Sequence, residues 1–183
     1  MMNKNDIRLR MRARKSLLDD DERQKAARNV FDRLEQLAAF LMSDRILMYN
    51  SLPDELSTRE FLTKWSGKKH FFLPRVNGID LEILPYDRTR LRSGAFRIEE
   101  PEGDDLADAS EMEMVVVPAV AYDRNCNRVG RGKGYYDRLL SRTRALKVGV
   151  AYDFQLIDEM EADQFDVPVD IVITESAIIY RRR

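Results

Sequence analysis

Residues 112–118 read MEMVVVP, in which a β-branched run of three valines ends on a proline. A strand with no polar alternation is buried on both faces, and such strands belong to parallel sheets covered by helices. Other segments supply companions. HFFLP and DLEILP are short apolar or alternating runs that stop at prolines, KVGVAY and DIVITE add two more strands, and RILMYN begins with another short apolar run. Helical patterns fall between them. From Asp19 to Leu37, Ala26, Ala27, Val30, Leu34 and Leu37 recur at helical spacing behind an acidic start. In STRE, Ser57 and Glu60 have the spacing of a capping box. Strands alternating with helices predict one α/β domain over residues 1–183. Its mostly parallel sheet is flanked by helices, with ligands bound beyond the carboxyl ends of the strands. A chain of this size can bury roughly 70% of its unfolded surface, enough for one core.

Charge and composition narrow the function. Lys and Arg total 31 against 32 Asp and Glu, so no global field draws the chain to nucleic acid or to an anionic membrane. Preference for an anionic ligand then has to come from a local cluster. Cys126 is the sole cysteine, which excludes an intramolecular disulfide and a multi-cysteine metal site and favours a reducing compartment. His70 is the sole histidine and reads as a packed or half-exposed residue beside a strand. The N-terminal residues lack a secretory core, and the longest apolar stretch, Met114 to Tyr122, is too short to span a bilayer. The expectation is a soluble cytoplasmic protein with no nucleic-acid or membrane partner. The acidic stretch from Glu99 to Glu113 reads as a solvated loop or edge without chemistry.

The N-terminus carries a conflict. Ile7, Leu9, Met11 and Ala13 alternate with Arg8, Arg10, Arg12 and Arg14, the period of a half-buried strand, yet nearly all of these residues favour helices. Functionally the arginines form either a solvated cationic face or a basic wall for phosphate or a polyglutamate tail.

The segment richest in chemistry is NRVGRGKGYYDRLL. Gly130, Gly132 and Gly134 alternate with Arg131 and Lys133 immediately before a helix in which Tyr135, Tyr136, Leu139 and Leu140 share one side. Glycines let a backbone take positive φ and press against a ligand. Exposed amides at a helix start, with two full cations, make an anion site suited to phosphoryl oxygens. Asp137, one turn further, can reach a Mg²⁺ ion held mainly by phosphates. The loop is not a Walker A sequence, since no Ser or Thr follows Lys133, nor does it have dinucleotide-fold glycine spacing.

This loop closely resembles the R-[LIV]-G-x-G-x-G-Y-Y-D signature of the 5-formyltetrahydrofolate cyclo-ligase family. KNDIR at Lys4 to Arg8 is similar to that family's K-x-x-x-R element, and YNSLPDELST to its S-x-x-[DE]-E segment. VVVPAVAYD and GVAYDFQLIDEMEADQFDVPVDIVITE resemble two further family segments, so nearly the whole chain is covered in order. The resemblance implies a fold like the ribose-phosphate isomerase and CoA-transferase group, with the N-terminal segment helical. It implies that ATP and Mg²⁺ drive cyclisation of 5-formyltetrahydrofolate to 5,10-methenyltetrahydrofolate. By motif position, ATP is expected at Lys4, Asn5, Asp6, Ile7, Arg8, Arg128, Val129 and Gly130 through Tyr136. That stretch holds Arg131, Gly132, Lys133, Gly134 and Tyr135, which also border the folate together with Arg8, Asn50 and Glu55. Arg131, Lys133 and Tyr135 are the expected catalytic residues, and Asp137 and Asp170 the Mg²⁺ ligands. Three positions depart from the pattern: Cys126 and Ala119 stand where glycine is common, and Phe165 where His-Asp is frequent. The rivals are a phosphosugar or acyl-CoA enzyme on the same fold, and an RNA-binding protein using the arginine-rich N-terminus.

Overall fold

The computed structural model describes residues 1–88, 90–94 and 98–183. Its N-terminal conflict resolves to helix α1, Lys4–Lys15, with Asn3 accepting the Asp6 N–H as N-cap. Ile7, Met11 and Lys15 are its buried residues, every fourth position, while Leu9 stays 68% exposed. Helix α2, Asp20–Glu35, starts on a complete capping box between Asp19 and Glu22. It is followed by α3, Ala38–Met42, β1, Arg45–Leu47, and α4, Arg59–Trp65. The capping box expected of Ser57 and Glu60 does not form. Thr58 is the N-cap of α4, and its hydroxyl donates to Tyr49 O at 2.9 Å. Glu60 instead makes a two-bonded ion pair with Arg28 of α2.

The main sheet has the order β12–β11–β9–β6–β1–β2–β3. Its members are β1, β2 (His70–Asn77), β3 (Asp80–Pro85), β6 (Met114–Val117), β9 (Leu146–Val150), β11 (Ile171–Ile173) and β12 (Ile178–Tyr180). The five inner strands pair in parallel, and β3 and β12 pair antiparallel at the two edges. All four residues of β6 are buried, as its β-branched run demands. One face, with Phe71 of β2, packs on Val30 and Leu34 of α2, Phe40 of α3 and Phe61 of α4, and the other on Leu139 and Leu140 of α5, Tyr135–Leu140. A small sheet orders β10 (Leu156–Ile157), β7 (Ala121–Asp123) and β8 (Arg128–Val129), while β4 (Leu91–Ser93) pairs with β5 (Glu99–Pro101).

Two contacts fix the small sheet. A Cβ on Gly149 of β9 would lie 2.4 Å from the Tyr122 ring, and the Tyr122 hydroxyl donates to Val117 O at 2.6 Å. The turn between β7 and β8 puts Cys126 at φ 64, a left-handed conformation that glycine takes without strain. Burial pushes its thiol up to about 11, so it is no nucleophile at neutral pH. His70 is exposed at the start of β2 with Nδ1 at 2.8 Å from Asp44. No described helix is long and apolar enough to cross a membrane.

Candidate active site

The carboxyl ends of β1 and β6 open onto a cavity of about 1230 Å³. Tyr49 and Asn50 follow β1 into it, and Pro118, Ala119 and Val120 follow β6. The antiparallel pair of β7 and β8 then delivers the glycine loop to its wall. The loop needs its glycines for two reasons. Gly132 and Gly134 have φ of 102° and 71°, and a Cβ on Gly130 would sit 3.1 Å from both terminal nitrogens of Arg128. Gly134 is the N-cap of α5, whose six residues carry little macrodipole. Positive charge at the loop therefore comes chiefly from side chains.

The loop cations differ in how far they are neutralised. Arg128 is buried, with its guanidinium 3.6 Å from Asp137 Oδ1 and stacked 5.4 Å from the Tyr136 ring. Its Nε has no hydrogen-bond partner among the described residues. Arg131 donates to Asp54 at 3.0 Å and lies 3.8 Å from Glu55 Oε2. Lys133 is exposed and makes no ion pair or side-chain hydrogen bond among the described residues. Helix α1 supplies Arg8, whose Nε donates to Gly130 O at 2.8 Å, and Lys4, held by Asp163 at 2.8 Å and Asp166 at 2.6 Å. Burial works against the Lys4 charge, but its bonds to Asp163 and Asp166 outweigh that and raise its pKa.

Beside these cations the cavity carries polar groups that suit a planar ligand. Glu55 is 11% exposed at its side chain and accepts the Leu52 N–H at 2.9 Å. Burial pushes its carboxyl above the ordinary value, against the pull of that N–H and of Arg131 and Lys15. Asn50 donates to Glu99 O at 3.0 Å. Tyr135 reaches Gly78 O at 3.4 Å, and burial drives the Tyr136 hydroxyl pKa up.

Of the residues expected at the site, Lys4, Arg8, Asn50, Glu55, Arg128, Gly130 through Tyr136 and Asp137 line this one cavity. Ile7 and Val129 are fully buried in an apolar cluster with Met11, so their side chains are core. Asn5 and Asp6 are exposed and lie outside the lining, Asn5 accepting from Arg8. Asp170 lies apart from these residues. It precedes β11 at the amino edge of the sheet, where its carboxylate accepts the Lys147 N–H at 2.8 Å, and it does not line the cavity. Asp137 fits a single-carboxylate Mg²⁺ anchor. Its Oδ1 accepts the Val167 N–H at 3.1 Å, Oδ2 has no partner among the described residues, and phosphate oxygens can complete the shell. Among the described residues no group of three or more His, Cys, Asp or Glu could hold a metal by itself.

Other lining residues carried no readable signal. Pro74, Val76 and Leu81 form an apolar wall, and the acidic stretch dismissed as solvated contributes Glu99 and Glu100. Phe165, 76% exposed, stands at the rim. Only tertiary placement brings these residues to the cavity.

An α/β fold with a cation-bearing glycine loop over a cavity this wide has the form of an enzyme that acts on small molecules. Single-ligand pockets run to about 1,000 Å³, which this one exceeds. The chain belongs to the 5-formyltetrahydrofolate cyclo-ligase family, whose model matches residues 1–175. It is 27% identical over 178 residues to the 5-formyltetrahydrofolate cyclo-ligase of Escherichia coli K12, covering 92% of this chain and 98% of the relative. The NMR structure of Aquifex aeolicus 5,10-methenyltetrahydrofolate synthetase superposes with a TM-score of 0.91 at 32% identity, covering 100% of this chain and 94% of that one. The synthetase of Mycoplasma pneumoniae shares the fold with a TM-score of 0.77 at 23% identity, covering 96% of this chain and all of that one.

Proposed function

We propose that the chain converts 5-formyltetrahydrofolate to 5,10-methenyltetrahydrofolate in the cytoplasm, consuming ATP and releasing ADP and phosphate. The observation that carries this reading is one cavity lined by the cations Arg8, Arg131 and Lys133 together with Glu55 and Asn50. The cations suit triphosphate, and Glu55 and Asn50 offer a carboxylate and an amide to the amino and imino donors of a pterin. Formyl oxygen attacks the γ-phosphorus, the bond to the bridging oxygen breaks, and ADP leaves. The N10 nitrogen then attacks the activated formyl carbon and loses its proton. The C–O bond breaks, and phosphate departs with the oxygen.

A formamide oxygen leaves only after phosphorylation, so the protein's work is alignment and compensation of moving charge. Arg131 and Lys133 serve the transferring phosphoryl group, Lys4, Arg8 and Arg128 hold the nucleotide, and Tyr135 borders the formyl end. Asp137 would hold Mg²⁺, which supplies charge neutralisation on the phosphates when bound. Conversion is followed by the near-ultraviolet band of the methenyl product. The band should grow only when ATP and 5-formyltetrahydrofolate are both present; a folded chain that produces none overturns the reading.

A further inference from the structure

Helix α5 places Arg138 one turn beyond the glycine loop, where its guanidinium joins two segments distant in sequence. Its Nη2 donates to Lys133 O at 2.8 Å and also to Ile79 O, and its Nε donates to Ile79 O at 2.9 Å. Asp80 Oδ1 lies 3.6 Å from the same Nε. Two carbonyl oxygens that face one point repel unless a donor stands between them, and the planar fork of an arginine reaches both. Tyr135 reinforces the junction, with its ring 5.6 Å from the guanidinium and its hydroxyl at Gly78 O. The Lys133 carbonyl is thereby fixed to the turn between β2 and β3. Arg138 has no part in the nucleotide, pterin or metal assignments above.

That contact decides what the loop presents. Glycines leave a backbone free to turn, so a loop built on Gly130, Gly132 and Gly134 takes its orientation from an outside contact. φ is positive at Gly132 and Gly134 but not at Arg131 and Lys133, an alternation that turns successive N–H groups to one side. No backbone N–H from Arg131 to Gly134 has a partner among the described residues. With the Lys133 carbonyl held by Arg138, the trans peptide aims the Gly134 N–H the opposite way. A Cβ on Gly134 would lie 2.6 Å from Arg138 Nη1, so the guanidinium also fills the space that a side chain would need.

We propose that Arg138 is a positioning residue for phosphoryl transfer, acting through Lys133. By tying the Lys133 carbonyl to the β2–β3 turn, it sets the direction of the Lys133 stem and of the Gly134 N–H, so that both meet the moving phosphoryl group. The proposal rests on the reaction given above and on Lys133 as its loop cation.

The test is a double-mutant cycle on the full chain, with ATP and 5-formyltetrahydrofolate as substrates. Arg138→Met keeps most of the stem and removes the fork. A misplacement of about 1 Å can cost roughly 10²-fold, so kcat should fall roughly 10- to 100-fold while both KM values stay within about twofold. In the Lys133→Met background the same substitution should cost less than about threefold, since the cation it places is gone. A folding defect lowers turnover by the same factor in both backgrounds, so equal factors overturn the proposal. Arg138→Lys keeps the charge but lacks the fork that serves both carbonyls, and it should recover only part of the loss. It also carries the cycle if Arg138→Met does not fold. Full recovery by lysine would mean that charge rather than the bridge matters, which overturns the positioning role. Unchanged kcat in Arg138→Met, with wild type active, overturns the positioning and leaves the reaction standing. Intact kcat in Lys133→Met sinks the roles of both residues, and absence of turnover in wild type sinks the reaction reading and the proposal with it.

Discussion

Lys133→Met isolates the one loop cation that no carboxylate neutralises. Arg128 has Asp137 at 3.6 Å and Arg131 has Asp54 at 3.0 Å, whereas Lys133 pairs with nothing among the described residues. Methionine keeps most of the stem, and no internal contact is lost, so stability should stay within about 0.5 kcal/mol of wild type. The kinetic effect is larger. A unit charge about 4 Å from another in a medium of effective dielectric ~20 interacts by ~4 kcal/mol. Removing one donor aimed at developing charge costs about 2.7–4 kcal/mol in comparable sites, so kcat should fall roughly 10²- to 10³-fold. ATP affinity should change far less, because Lys4, Arg8, Arg128 and Arg131 remain. Single-turnover kinetics with ATP binding measured separately gives both quantities. A large rise in Kd with intact kcat at saturation would refute the transition-state role and make Lys133 a ground-state anchor.

Three further outcomes follow from named contacts. Asp137→Asn keeps an oxygen for the Val167 N–H but loses the charge that faces buried Arg128; Mg²⁺ titration of turnover should show a much weaker requirement midpoint together with a lowered melting temperature, and an identical titration in the folded variant removes Asp137 from the metal. Glu55→Gln should raise the folate KM more than the ATP KM, by a loss of roughly 1.5–3 kcal/mol for a charge-assisted contact, and equal effects on both substrates would argue against a pterin there. Gly149→Ala forces a methyl to within 2.4 Å of a fully buried ring. Urea denaturation should show about 2–4 kcal/mol of lost stability, and a loss below 1 kcal/mol would mean that Tyr122 can yield.

Local chemistry made some of this legible in the sequence and tertiary partners hid the rest. β6 was readable because a run of buried β-branched residues has few alternatives, and α2 because its apolar period and Asp19 cap agree. Helix α1 was ambiguous because alternating arginines imposed a period of two on a segment whose burial runs every fourth residue, at Ile7, Met11 and Lys15. The box at Ser57 and Glu60 failed because each element found a better partner across the fold, Thr58 at Tyr49 and Glu60 at Arg28. At the site, the loop spacing announced an anion, and resemblance supplied Asn50 and Glu55. The position of Asp170 was not legible, because a carboxylate before a strand looks the same in sequence whether it faces a cavity or takes the Lys147 N–H. Lys15 went unnoticed since nothing in its neighbourhood announces burial of an ammonium.

The glycine loop is not a portable module. β9 gives up a side chain at Gly149, the Tyr122 ring occupies the notch, and its hydroxyl docks on the last residue of β6. That ring works as a dowel, indexing the small sheet that presents the loop against the strands whose ends open onto the cavity. Grafting residues 128–137 onto another α/β scaffold would carry the cations and leave their coordinates behind. A successful transplant has to move the tyrosine and its glycine socket together with the loop.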